Sequence, residues 1–202
     1  YWVDGFDWFK QQDAINRFDH FTAAVDGIDL HFIHEKGSGE SARPLIISHG
    51  WPGSVVEFID VIDLLAHPER HGGNIEDAFD VVAPSLPGFG FSGRPPRPWG
   101  PRRMAQTFNS LMTSTLGYDS YIAQGGDWGG AISSFLGFHH SSACRAIHIN
   151  ILTMRHPDGP QTPAEIRWEE QFKEDQIMED GYRTQQATKP QTLSYAMMDS
   201  PV

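Results

Sequence analysis

A short apolar stretch, Tyr121-Ile122-Ala123, leads through Gly125-Gly126-Asp127-Trp128-Gly129-Gly130 into a helix-like run that ends near His139. Glycines two before, two after and three after Asp127 suit a sharp, strained turn. Only small neighbours let the chain lift one side chain above the end of a strand. A hydroxyl in that place would need a base to activate it. A carboxylate, which ordinarily titrates near pH 3.9, is ionised at neutral pH without help. It is suited to in-line attack on a saturated carbon, giving an alkyl ester that water later cleaves. Asp127 is therefore the candidate nucleophile; the competing reading is an Asp that only caps the helix behind it.

Cleaving such an ester creates a negatively charged oxygen, which needs fixed N–H donors. His49-Gly50-Trp51-Pro52 follows the preceding apolar run, where a sheet carrying a strand-turn-helix nucleophile places a facing backbone N–H. Pro52 has no N–H, so Trp51 is the candidate donor from this turn. The second is the N–H of Trp128, the residue after the nucleophile. An ordinary tight turn into a helix is the alternative for residues 49–53.

The elements that must position these groups are legible as a series. Asp26-Gly27 between two strand-like runs, within residues 22–34, signals a hairpin. Pro44 to Ser48 and Asp80 to Leu86 contain short continuous apolar runs, as in strands buried on both faces. Ser54 is a candidate cap for a helix to Ala66, in which Val55, Phe58, Ile59, Ile62 and Leu65 recur at helical spacing. A loop rich in Gly and Pro spans residues 87–101. A helix from Arg102 to Leu116 stops at Gly117. A helix from Trp128 to about His139 and a strand from Arg145 to Asn150 complete the alternation. This order predicts an α/β fold: a mainly parallel sheet with helices on both faces. From Ile151 the texture changes to a loop with Pro157, Gly159, Pro160 and Pro163, then a charged helix from Ala164 to Glu179, with Glu169 and Lys173 in the favourable order. The expected division is residues 1–21 as an N-terminal segment, 22–150 as the first part of the core, and 151–202 as the start of a helical lid.

Composition narrows the partners. With 26 acidic and 15 basic residues the formal charge is −11, which argues against nucleic acid, whose affinity rests on cationic neutralisation of phosphates. The single cysteine, Cys144, excludes an internal disulfide and a four-thiolate zinc site, and reads as a packing residue. No apolar run approaches the roughly 18 residues that span a bilayer. The expectation is a soluble, cytoplasmic protein, with an anchor upstream of Tyr1 left open; both ends of the chain read as cut, and the oligomeric state is open.

Taken together, His49 to Ser54, Leu86-Pro87-Gly88-Phe89-Gly90-Phe91-Ser92, Gly125 to Gly130, Gln186 to Leu193 and Asp199 to Val202 resemble microsomal-type epoxide hydrolases. The early stretch with Trp8, Ile15-Asn16-Arg17-Phe18 and Phe21, followed by Asp26-Gly27-Ile28, resembles their N-terminal segment. The resemblance covers essentially the whole chain. It implies an α/β-hydrolase core with a helical lid, a cis peptide between Trp51 and Pro52, and a lid tyrosine that protonates the epoxide oxygen, which here is Tyr182 after Gly181. A phenol, titrating near pH 10, can give a hydrogen bond and then a proton to an opening epoxide. Tyr195 reads as lid packing. The substrate would be a small apolar or aromatic epoxide, with water as the second reactant. Trp51, Trp128 and Phe172 are candidate walls of its pocket, although core packing explains most of the aromatic surplus equally well. No cofactor and no metal are implied.

Two family features have no counterpart. The His that activates water, with its carboxylate partner, follows the last strand in this fold, yet none of the ten histidines lies beyond His156. The second lid tyrosine is missing too, and a full core with its lid needs roughly 250 residues or more. The expectation is an alkylation half that does not turn over alone. A haloalkane dehalogenase, which shares the Asp-Trp turn but has no use for a lid phenol, is the nearest rival. A non-catalytic binding module, favoured by the missing His, is the alternative from another class.

Other signals are set aside. Gly88 to Gly93 matches a dinucleotide fingerprint, but Pro95, Pro96, Pro98 and Pro101 leave no helix N-terminus for a pyrophosphate. Arg94, Arg97, Arg102 and Arg103 read as a solvated loop and helix start. His67 and His71 are flanked by Pro68 and Gly72, which spoils a helical metal pair, and His31 and His34 face opposite sides of a strand.

Overall fold

Asp26 and Gly27 form the tight turn their sequence predicts. Both take positive φ, 52° and 86°, joining β1 (His20–Val25) to β2 (Ile28–Glu35) as an antiparallel hairpin. The computed structural model describes residues 3–151 and 156–199, so Ser200-Pro201-Val202, part of the family resemblance, lies outside the described residues. The chain divides into two units, residues 1–153 and 154–202.

In the first unit, helix α1 (Trp8–Asn16) precedes the hairpin, and Asp7 caps it by accepting the Lys10 N–H. Strands β3 (Arg43–Ser48), β4 (Phe79–Pro84), β5 (Tyr121–Gly125) and β6 (Cys144–Ile149) join the hairpin in one sheet of order β1-β2-β4-β3-β5-β6. β3 runs parallel to β4 and β5, and β5 parallel to β6, while β2 meets β4 antiparallel. The apolar runs are buried on both faces, as their continuity predicts. Ile46 and Val82 pack with Phe108, Leu111, Ile132 and Leu136 from α3 (Pro101–Ser110), the turn after it and α4 (Asp127–His139). Leu45, Ile47, Val81 and Ala83 pack on the other face with Ile62 and Ala66 of α2 (Ile59–Ala66). Each of the Val, Leu, Ile and Phe side chains taken out of water contributes about 1.5–3 kcal/mol, so the parallel centre of the sheet is its most firmly held part.

Two helices depart from expectation. The segment after Ser54 begins as a 3-10 turn, Val55–Phe58, and becomes α-helix only at Ile59. Its cap is as predicted: the Ser54 hydroxyl accepts the Val56 N–H at 3.2 Å, and Glu57 returns to accept the Ser54 N–H at 3.2 Å. The helix before Gly117 widens into a π turn over Leu111–Thr115. Leu111 and Met112 are fully buried there, so tertiary packing fixes a geometry that propensity does not encode.

His31 is a buried polar group with both ring nitrogens engaged. One lies 2.9 Å from the Ser85 hydroxyl and the other 2.9 Å from Nδ1 of His20. Burial, helped by the neighbouring His20, pushes its pKa from 6.5 to about 4. A folded-state value below the unfolded one means that stability is complete above pH 6.5 and declines as pH falls towards 4. The decline from this residue is up to about 3 kcal/mol. Denaturant midpoints measured between pH 7 and 4 are expected to fall, with a shallower fall in His31→Gln. The slope does not vanish, since burial also lowers the pKa of His34 and His49. Superimposable pH curves for the two proteins would contradict this account.

The second unit holds α5 (Pro163–Glu179), α6 (Gly181–Thr188) and α7 (Gln191–Asp199). Thr162 and Glu165 form a reciprocal cap at the start of α5. The expected Glu169–Lys173 pair is present at 3.7 Å, and being exposed it adds little.

Candidate active site

Asp127 stands at the junction of β5 and α4 with φ +48°, a left-handed conformation that non-glycine residues rarely adopt. The glycines around it are there for space. A Cβ on Gly125 would run into the Gly129 carbonyl, and one on Gly129 into the Ser48 carbonyl at the end of β3. Facing Asp127, a Cβ on Gly50 would collide with the aspartate side chain itself. The turn therefore presses against residues 48–51, and the close approach has a chemical result. The Trp51 N–H donates to Oδ1 of Asp127 at 2.7 Å. The Trp51–Pro52 peptide is cis, as the family resemblance implied.

That bond divides the labour of the carboxylate. Oδ1 is held by a fixed donor, and Oδ2 takes no part in that bond. If Oδ2 becomes an ester oxygen, Oδ1 becomes the carbonyl oxygen, and the same Trp51 N–H already points at the atom that would carry negative charge. The N–H of Trp128 lies in the first turn of α4, among the groups that have no acceptor within a helix.

A pocket of about 430 Å³ opens over Asp127, lined among others by Gly50, Trp51, Pro52, Phe58, Glu57, Gln124 and Asn150. The structure thus brings Asp127 and Trp51 together, with Trp128 next in the chain, its indole exposed and absent from that lining. Tyr182 and Phe172 belong to the second unit, Tyr182 in the first turn of α6 and Phe172 on α5, stacked on Trp168 at 5.0 Å. Gln124, Asn150 and Glu57 escape a reading of motifs. Their signal is position: ligand sites of parallel sheets gather at the carboxyl ends of strands, where Gln124 and Asn150 lie. The Gln124 amide donates to the Asn150 side-chain oxygen at 3.5 Å, and the Asn150 N–H holds the Gly125 carbonyl at 3.2 Å.

The groups set aside behave accordingly. Cys144 is buried, which pushes its thiol up to about 11 and leaves it unreactive. His67 meets Glu35 at 2.9 Å whereas His71 meets Asp63 at 2.6 Å, so the two rings serve different carboxylates. Among the described residues no cluster of three potential metal ligands occurs, and no helix is long and apolar enough to cross a membrane.

Comparison with known proteins identifies the family. Residues 1–58 match the family model described as epoxide hydrolase N terminus, and residues 43–196 match that of the alpha/beta hydrolase fold. Over its whole length the chain is 40% identical to a putative epoxide hydrolase of Stigmatella aurantiaca (strain DW4/3-1), covering 46% of that protein. It is 35% identical to epoxide hydrolase 1 of Sus scrofa, covering 49% of it. Among solved structures, the epoxide hydrolase of Aspergillus niger superposes with a TM-score of 0.76 at 33% identity, over 99% of this chain and 53% of that one. The juvenile hormone epoxide hydrolase of the silkworm Bombyx mori gives 0.79 at 29% identity, over 100% of this chain and 51% of that one. The chain spans about half the length of the relatives it matches. It belongs to the α/β-hydrolase fold family.

Proposed function

We propose that this chain carries the alkylating half of an epoxide hydrolase acting on small apolar or aromatic epoxides. Oδ2 of Asp127 attacks a ring carbon, the carbon–oxygen bond of the epoxide breaks, and its electron pair goes to the oxygen. The phenol of Tyr182 gives that oxygen its proton. The product is an alkyl ester on Asp127 bearing a neighbouring hydroxyl. Where a base takes a proton from water, the hydroxide adds at Cγ and negative charge collects on Oδ1 against the N–H groups of Trp51 and Trp128. The Cγ–Oδ2 bond then breaks, the base returns its proton to the departing oxygen to release a diol, and the proton left on the new carboxyl group restores the Tyr182 phenol. Trp51, Pro52 and Phe58 give the pocket apolar surface suited to such a substrate, and the same task is proposed for Phe172, which is not among the residues lining that pocket.

The observation that carries this reading is the 2.7 Å bond from the Trp51 N–H to Oδ1 of a carboxylate lifted on a strained turn. A helix cap would direct its oxygen at the N–H groups of its own helix instead. Water activation requires a base. His49, on the turn that faces Asp127, cannot serve, because both its ring nitrogens are bonded to backbone. Residues 1–202 are therefore proposed to be labelled once rather than to turn over.

The test is intact-mass measurement of residues 1–202 incubated with styrene oxide, followed by peptide mapping. One adduct is expected, on Asp127, without steady release of diol. Tyr182→Phe is expected to slow labelling by about 100-fold, the usual loss for a general acid. Equal labelling rates would remove Tyr182 from the mechanism, and multiple turnovers of diol would refute the missing base.

A further inference from the structure

We propose that His49 is a positioning residue that aims the Trp51 N–H at Asp127, and that residues 86–92 hold His49 for this purpose. The proposal rests on the reading of Asp127 as nucleophile. Its argument begins with the tautomer. The Leu86 N–H points at Nε2 of His49 at 3.0 Å, and a backbone N–H can only donate. Nε2 is thus the acceptor, and Nδ1 carries the proton that it donates to the Gly50 carbonyl at 2.8 Å. That carbonyl also accepts the Gly53 N–H at 3.0 Å. Two donors from different directions fix the plane of the Gly50–Trp51 peptide. In a trans peptide the N–H leaves the opposite edge from the carbonyl, and here it meets Asp127 at 2.7 Å. A chain of hydrogen bonds therefore runs from Leu86 through the imidazole and one peptide to the nucleophile.

The ring is sealed in place. His49 is 1% exposed, and the Phe89 ring sits edge-on to it at 5.7 Å. The loop that supplies Leu86 and Phe89 is moored at its far end. The Ser92 hydroxyl accepts the His31 N–H at 3.0 Å and donates to the Ser85 carbonyl at 2.7 Å, and the Gly93 N–H holds the Asp29 carbonyl at 2.7 Å. The motif Leu86-Pro87-Gly88-Phe89-Gly90-Phe91-Ser92, followed by prolines and not by a helix N-terminus, thereby acquires a task at the active site.

The experiment follows the Trp51 backbone amide by nitrogen–proton NMR in protein labelled with 15N-tryptophan, alongside styrene oxide labelling by mass. In the parent chain that amide proton is expected far downfield, and Asp127→Ala is expected to move it upfield. His49→Leu, which keeps bulk but removes the Nδ1 donor, is expected to move it upfield too and to slow labelling about 10- to 100-fold. His49→Asn, whose amide can place a donor where Nδ1 stood, is expected to recover most of both. If His49→Leu does not fold, His49→Gln, which keeps an acceptor for Leu86 and lacks that donor, carries the same expectation. An unmoved Trp51 amide, or His49→Asn no better than His49→Leu, would overturn the proposal. A Trp51 amide that follows His49 in a chain that styrene oxide never labels would uphold the positioning and sink the proposed function instead.

Discussion

Asp127→Asn is expected to abolish covalent capture of styrene oxide, a loss of at least about 10³-fold, while leaving the fold intact. The substitution separates shape from chemistry. Asp127 holds φ +48°, and asparagine is among the few side chains that accept a left-handed backbone at little cost. Its amide oxygen can still accept the Trp51 N–H, so the turn keeps its contact with residues 48–51. What disappears is the anionic Oδ2, since an amide nitrogen has no available electron pair for attack. Melting temperature should move little, and intact-mass spectra should show unmodified protein after hours of exposure. An adduct on the Asp127→Asn variant of the same mass and rate would place the nucleophile elsewhere.

The contrast between what local residues dictate and what only the fold supplies is plain at this site. Asp26-Gly27 is readable because it encodes its own backbone, both residues taking positive φ, and Gly125 to Gly130 because small residues flank one acid between a strand and a helix, although the Ser48 carbonyl that Gly129 makes room for is distant in sequence. Ser54 is readable because its capping partner is three residues away. The insertion of β4 between β2 and β3, the π turn after Ser110 and the partners of His49 are not local. They depend on which strand lies beside which, and on Leu86 reaching a ring 37 residues earlier. Gln124 and Asn150 carry no motif, and only the ends of adjacent strands bring them to the pocket. Tyr182 differs from all of these. It sits exposed in the first turn of a helix, and its assignment rests on family resemblance and on the chemistry of a phenol.

Gly129→Ala is expected to destabilise the protein by about 3 kcal/mol and to cost most of the labelling of Asp127. Helix propensity alone predicts the opposite sign, because alanine inside a helix is favoured over glycine by about 1 kcal/mol. The structure decides between them. An added methyl at position 129 would strike the Ser48 carbonyl and come within 2.9 Å of the His49 carbonyl, and backbone atoms cannot rotate away as a flexible side chain can. The start of α4 must then back away from β3, which carries Asp127 from the Trp51 N–H. Gly126→Ala is the matched comparison. There the nearest atoms are 3.7 Å away on the Asn150 side chain, and the backbone φ of −116° suits any residue. Denaturant unfolding of the two variants should give a large loss for the first and a change within about 1 kcal/mol for the second. Equal losses would mean that glycine is needed here for backbone freedom, and that the press of the turn against β3 does not position the nucleophile.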